Sequence, residues 1–126
     1  MMLAAYSLQG RVALVTGSGR GIGAAIASVM AQSGAKVLVV NRTGSAAMEV
    51  AADINAAGGV AAAFECDIGT RAQAQVAINE AVSRFGALDI VVHNAAVCLW
   101  QHLEQLDEAT LRQTLAVNLE ACFWLT

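Results

Sequence analysis

Short, mostly apolar runs alternate along this chain with longer stretches in which apolar residues recur every three to four positions. Residues 12–15, 36–40, 60–64 and 88–92 are runs of strand length without strict polar alternation. Such runs suit strands of a parallel sheet that is covered on both faces. Between and after them, four sets fall at helical spacing: Ile22, Ile26, Val29 and Met30; Ala47, Val50, Ile54 and Ala57; Ala74, Ile78, Val82 and Phe85; Leu111, Leu115, Leu119 and Cys122. Each set predicts the buried face of one helix. Ser33-Gly34, Gly58-Gly59 and Gly86 supply stop signals, Thr70 can cap the third helix, and Asp107 can start the last.

The order is therefore β-α-β-α-β-α-β-α. Right-handed crossovers turn it into an α/β fold, a doubly wound parallel sheet of strand order 3-2-1-4 with helices on both faces. In such sheets ligands bind beyond the carboxyl ends of the strands, between strands one and four here. Gly17 to Gly23, Asn41-Arg42, Asp67-Ile68 and Asn94-Ala95 all fall just past strand ends, so four segments converge on one groove.

The first of these segments carries the clearest chemistry. Thr16-Gly17-Ser18-Gly19-Arg20-Gly21-Ile22-Gly23 joins a strand to a helix. Glycines let the backbone turn sharply and let a ligand approach it, and the helix start offers unpaired N–H groups to an anion. A dinucleotide pyrophosphate fits that place. Gly17, Gly21 and Gly23 form T-G-x-x-x-G-x-G, although residues 19–24 also satisfy G-x-G-x-x-A.

Residues 8–17, Leu-Gln-Gly-Arg-Val-Ala-Leu-Val-Thr-Gly, lead into this loop; Cys66-Asp67-Ile68, His93-Asn94-Ala95-Ala96 and Val117-Asn118-Leu119 follow in order. With these motifs, residues 8 to 126 resemble the amino-terminal half of a classical short-chain dehydrogenase/reductase, similar to 3-oxoacyl-acyl carrier protein reductases. The resemblance implies a Rossmann-type fold, an NADP(H)-dependent oxidoreductase acting on a small-molecule carbonyl or alcohol, and a homo-oligomer. His93 and Ala96 depart from the family's N-N-A-G.

The resemblance also distributes roles. Gly17, Ser18, Gly19, Arg20, Gly21, Ile22 and Gly23 would cradle the cofactor. Asp67 would accept from the adenine amino group, Ile68 would pack on the ring, and Asn94, Ala95 and Ala96 would line the ribose side. Asn118 would help hold a water of the catalytic proton relay. A second reading makes Asp67 a simple turn residue. Asn118 lies on the apolar stripe of the last helix, where an unpaired amide costs roughly 1–3 kcal/mol, so a purely structural hydrogen bond is its alternative.

At the end of the second strand an acid would accept from the 2′-hydroxyl of NAD. The residues there are Asn41-Arg42. Arginine can pair with a 2′-phosphate through two hydrogen bonds, and Arg20 is a second cation nearby, so NADP(H) is favoured over NAD(H). The alternative is an arginine that merely solvates a loop.

Composition narrows the picture further. The chain has 126 residues, net charge -3 and 57% hydrophobic residues, enough for one NAD(P)-binding domain spanning residues 1–126 with a core. No basic cluster is present to neutralise nucleic-acid phosphates. The absence of a signal-like start and of an apolar run near 18 residues predicts a cytoplasmic protein off the membrane. Cys66, Cys98 and Cys122 are irregularly spaced, and neither His93 nor His102 has a partner at ligand spacing, so single thiols and no metal site are expected.

Classical members of the family use a serine and a Tyr-x-x-x-Lys pair. The chain has one tyrosine, Tyr6, and one lysine, Lys36, and neither is placed to form that pair. The helical pattern also continues to Thr126 without a stop signal, and residues 90–92 would form an open apolar sheet edge. The expectation is thus a domain incomplete at its carboxy terminus and inactive alone. The competing reading is a short non-catalytic protein that binds a nucleotide or complements another subunit.

Overall fold

The computed structural model describes residues 4–126. Four parallel strands, β1 (Val12–Thr16), β2 (Lys36–Asn41), β3 (Val60–Glu65) and β4 (Ile90–Val92), form one sheet of order β3-β2-β1-β4. Helices α1 (Gly21–Gln32), α2 (Gly44–Ala56) and α3 (Arg71–Phe85) make the crossovers. The chain then runs through a 3₁₀ turn, Leu103–Gln105, to α4 (Glu108–Leu115), a π-helical turn (Ala116–Glu120) and the short α5 (Ala121–Trp124). This is the doubly wound Rossmann-type sheet that the alternation predicts.

The sheet separates two apolar layers. Ala13, Val15, Val37 and Val39 face α1 and α2, whereas Leu14, Leu38 and Val40 face α3 and α5. All five residues of β1 are buried, because a central parallel strand has helices on both sides. The fourth strand is shorter than the expected 88–92. Its entry is instead a clasp: Asp89 accepts from Val12 N at 2.8 Å through its side chain and donates from its own N to Val12 O at 2.9 Å.

Helix stops and caps follow the local chemistry. Thr70 Oγ1 accepts from Gln73 N at 3.2 Å, and Asp107 Oδ1 accepts from Thr110 N at 2.7 Å. The Thr110 backbone bond holds the Asp107 carboxyl below its ordinary range. Gly86 ends α3 at φ +84°, a conformation that suits glycine at a helix end.

The helix faces are a correction. Helix α1 buries Gly23, Ala27 and Ala31, while Ile22 and Val29 stay exposed; α3 buries Ala74, Ala77 and Ala81, and leaves Val82 exposed. Small residues let a helix lie close on the sheet, and the larger apolar side chains fall at the flanks. The last helix departs more. Leu111, Leu115, Leu119 and Cys122 are exposed, and the inward positions are Ala121 and Leu125. The π-helical turn places an extra residue in one turn, so beyond Leu115 the stripe read at a constant helical period loses its phase. Arg71 lies over the Trp124 ring at 5.6 Å and ties α5 to the start of α3.

Candidate functional site

The carboxyl ends of the strands open into a cleft of about 680 Å³. Its first wall is the turn from β1 into α1. Gly17 and Gly21 have φ of +61° and +56°, which favours glycine. A methyl group on Gly17 would stand 2.7 Å from Ala95 Cα, and one on Gly23 would strike the Gly17 carbonyl. No side chain caps the start of α1, so Gly21, Ile22 and Gly23 bring an uncapped helix end to the cleft.

The turn is held from two sides. From β4, Asn94 Nδ2 donates to Thr16 O and Gly17 O, each at 3.1 Å. Thr16 Oγ1 accepts from Asn94 N at 3.1 Å and Ala95 N at 3.0 Å. Its contact with His93 Nδ1 is 3.4 Å, and the buried His93 Nε2 has no hydrogen-bond partner among the described residues. From β2, Asn41 Oδ1 accepts from Gly19 N at 3.3 Å, and its Nδ2 donates to Thr43 O at 3.1 Å.

Ser18 is fully buried. Its Oγ donates to Val15 O at 2.6 Å and accepts from Val40 N at 3.1 Å, while its N donates to Val40 O at 3.1 Å. The side chain straps β1 to β2 and does not line the cleft. Gly19 is also absent from the lining, since its Cβ position is filled by the Asn41 side chain. Neither residue is in the cleft lining, and both pack against β2.

Every other cofactor position expected from the sequence lines the cleft: Gly17, Arg20, Gly21, Ile22, Gly23, Asn41, Arg42, Asp67, Ile68, Asn94, Ala95 and Ala96. Asp67 is exposed, and one of its oxygens accepts from Gly69 N at 3.0 Å, so it makes the turn of its alternative reading. Ile68 is 3% exposed and packs in the apolar layer that faces α3 and α5. Arg20 and Arg42 are exposed, and the ion pairs among the described residues, Arg11–Asp89, Arg84–Glu80 and Arg112–Glu108, engage neither.

The lining also includes Thr16, Val40, Thr43, Ala46, Cys66, Val97 and Val117, which the sequence reading did not assign to the site. Thr43 follows Arg42 directly, a signal the sequence did carry. Burial pushes the Cys66 thiol above its ordinary range, and the neighbouring Asp67 charge adds to this; its Sγ donates to Gln73 O at 3.4 Å.

Asn118 stands in the π-helical turn rather than on a regular helix. Its Oδ1 accepts from Val97 N and its Nδ2 donates to Val97 O, both at 2.8 Å. The amide thus brackets the backbone of a cleft-wall residue, while Asn118 itself is exposed and is not in the lining. Among the described residues, no helix is long and apolar enough to cross a membrane.

A doubly wound sheet with a glycine-rich turn at its switch point defines a dinucleotide-binding class of protein. Within that class the family described as short chain dehydrogenase matches residues 11–126, and this chain belongs to that family of oxidoreductases. It is 43% identical over 123 residues to the short chain dehydrogenase/reductase AacuN of Aspergillus aculeatus, covering 97% of this chain and 47% of that one. It is 38% identical over 118 residues to D-threitol dehydrogenase of Mycolicibacterium smegmatis, covering 94% and 45% respectively. Among solved structures, a metagenomic short-chain oxidoreductase in complex with NADP superimposes with a TM-score of 0.89 at 35% identity, covering 94% of this chain and 54% of that one. The chain spans about half the length of the curated relatives it matches.

Proposed function

We propose that this chain is the cofactor-binding part of an NADP(H)-dependent oxidoreductase, which transfers a hydride between NADP(H) and a small carbonyl or alcohol substrate. The observation that carries the reading is the charge at the β2 end of the cleft. Asn41 spends its amide on Gly19 and Thr43, no acid takes its place there, and Arg42 and Arg20 line the wall without an ion-pair partner among the described residues. Guanidinium groups so placed suit a 2′-phosphate.

The residues present fit the dinucleotide. The space that side chains at Gly17 and Gly23 would fill is taken by backbone of this chain, which brings the main chain to the cleft floor. The uncapped start of α1 suits a pyrophosphate. When bound there, NADP(H) supplies the hydride. Gly17, Gly21, Ile22 and Gly23 bind it, Asp67 and Ile68 flank the adenine, and Asn94, Ala95 and Ala96 border the ribose, with Ser18 and Gly19 supporting the turn from behind.

Asn118 is a positioning residue in this reading. Its bracket fixes Val97 in the wall, and the water-holding role falls to the one amide hydrogen and the one lone pair that Val97 leaves free. A homo-oligomer belongs to the same proposal. Leu111, Leu115, Leu119 and Phe123 are exposed along the α4–α5 segment and offer apolar surface to a second copy.

The test is cofactor binding by the chain and by Arg42→Asp. A lost charge-assisted contact costs roughly 1.5–3 kcal/mol, so NADPH should weaken at least about tenfold while NADH is spared. Equal affinities for the two cofactors before and after the change would overturn the assignment. The 126-residue chain alone, with Tyr6 and Lys36 far from a catalytic pairing, should not consume NADPH with ketones or 3-oxoacyl thioesters. Robust turnover would instead place the proton donor among the residues of this chain.

A further inference from the structure

We propose that Glu65 is a specificity-determining residue of this cleft: its carboxylate opposes the 2′-phosphate that Arg42 and Arg20 attract, and so sets the strength of the preference. The inference rests on the NADP(H) reading above. Glu65 ends β3, and the β2–β3 register places it opposite Asn41, the strand-end residue of the cleft wall. Its exposed side chain does not line the cleft. It turns across Gly44, so that a methyl group built there would collide with the Glu65 carboxylate.

Gly44 opens α2 and follows directly on Arg42 and Thr43, both in the cleft wall. Helix α2 has no acid in its first turn and no side-chain cap. Glu65 is therefore the anionic group at that corner, supplied by the neighbouring strand. The sequence removes an acid from the end of β2, at Asn41, and keeps one a strand further out. An acid at Asn41 would touch the ribose; Glu65, one strand further out in register with Asn41, acts only through space, and ions screen such an effect over roughly 8–10 Å. Asp67 is the other carboxylate on this rim, and one of its oxygens is held by the Gly69 turn.

Adenosine 2′,5′-bisphosphate and adenosine 5′-monophosphate differ only in the phosphate at issue, and titration calorimetry of the chain with each isolates it. Glu65→Gln should tighten the bisphosphate roughly two- to fivefold, the range that exposed charge pairs give, and leave the monophosphate unchanged. Glu65→Lys should go further in the same direction, and both gains should shrink at high salt. Equal changes for both nucleotides, or no change for the bisphosphate, would overturn the proposal. If Arg42→Asp weakens the bisphosphate while both Glu65 variants leave it unmoved, the Glu65 inference fails alone. If the unaltered chain shows no preference for the bisphosphate and Arg42→Asp changes nothing, the NADP(H) reading fails and takes this inference with it.

Discussion

Replacing Ser18 by alanine separates a residue that touches a ligand from one that holds the wall behind it. The change removes one oxygen that makes two short contacts, to Val15 O at 2.6 Å and from Val40 N at 3.1 Å. Both partners are buried residues of the sheet. The Val40 N–H loses its acceptor, and an orphaned buried donor costs about 1–3 kcal/mol. A domain of this length shifts by about 3–5 °C per kcal/mol, so the melting temperature should fall by several degrees. NADPH affinity, measured well below the transition, should change little, because the Ser18 side chain is not in the lining. Thermal unfolding followed by circular dichroism, paired with calorimetric titration, checks both halves. Unchanged stability with a tenfold loss of affinity would refute the strap.

Gly23→Ala should cost more, because the new methyl group meets the Gly17 carbonyl and the Asn94 amide; overpacking costs about 1–3 kcal/mol, and displacing Asn94 forfeits two hydrogen bonds at roughly 1 kcal/mol each. A urea midpoint equal to that of the unaltered chain would count against it. The raised Cys66 pKa makes stability depend on alkali: the unfolded thiol ionises first, so this contribution is present below its ordinary pKa of 9.0 and is lost as pH rises past it. Cys66→Ala should flatten the alkaline arm of a stability–pH profile, and an unaltered arm would reject the cause.

Much of the fold was legible because a parallel sheet advertises itself. Residues 12–15 and 37–40 are apolar throughout, and only a strand covered on both faces needs that. Glycine stops were equally plain, since Gly34 and Gly86 sit at φ +102° and +84°. The helix faces were legible in part: Ala47, Ile54 and Ala74 are buried as expected, whereas Ile22, Val29 and Val82 are exposed. A stripe read by size favours Ile22 and Val29, but proximity to the sheet selects for smallness, and Gly23, Ala27 and Ala31 take the inner positions. The π-helical turn at Ala116–Glu120 leaves no trace in hydropathy, because it changes phase without changing composition. Within the site, the glycine turn was visible by spacing, whereas the inward direction of Ser18 depends on Val40, a residue 22 positions away. No local pattern encodes that.

The clasp between β1 and β4 also bears on the order in which the chain acquires its binding site. Thr16 and Gly17 are held by Asn94, and Val12 by Asp89, across separations of 77 and 78 residues. Helix α1 can form early, since its own hydrogen bonds are local, and the contacts of the turn with Val40 and Asn41 span only 22 residues. The loop carbonyls are fixed only once β4 has closed on β1, after the entropy of a long loop has been met. A nascent chain released through residue 90 would therefore hold its glycines in sequence without holding them in place. Nucleotide binding should arise only when Asn94 has emerged and docked, so a fluorescent nucleotide would report the last long-range step of folding rather than the first.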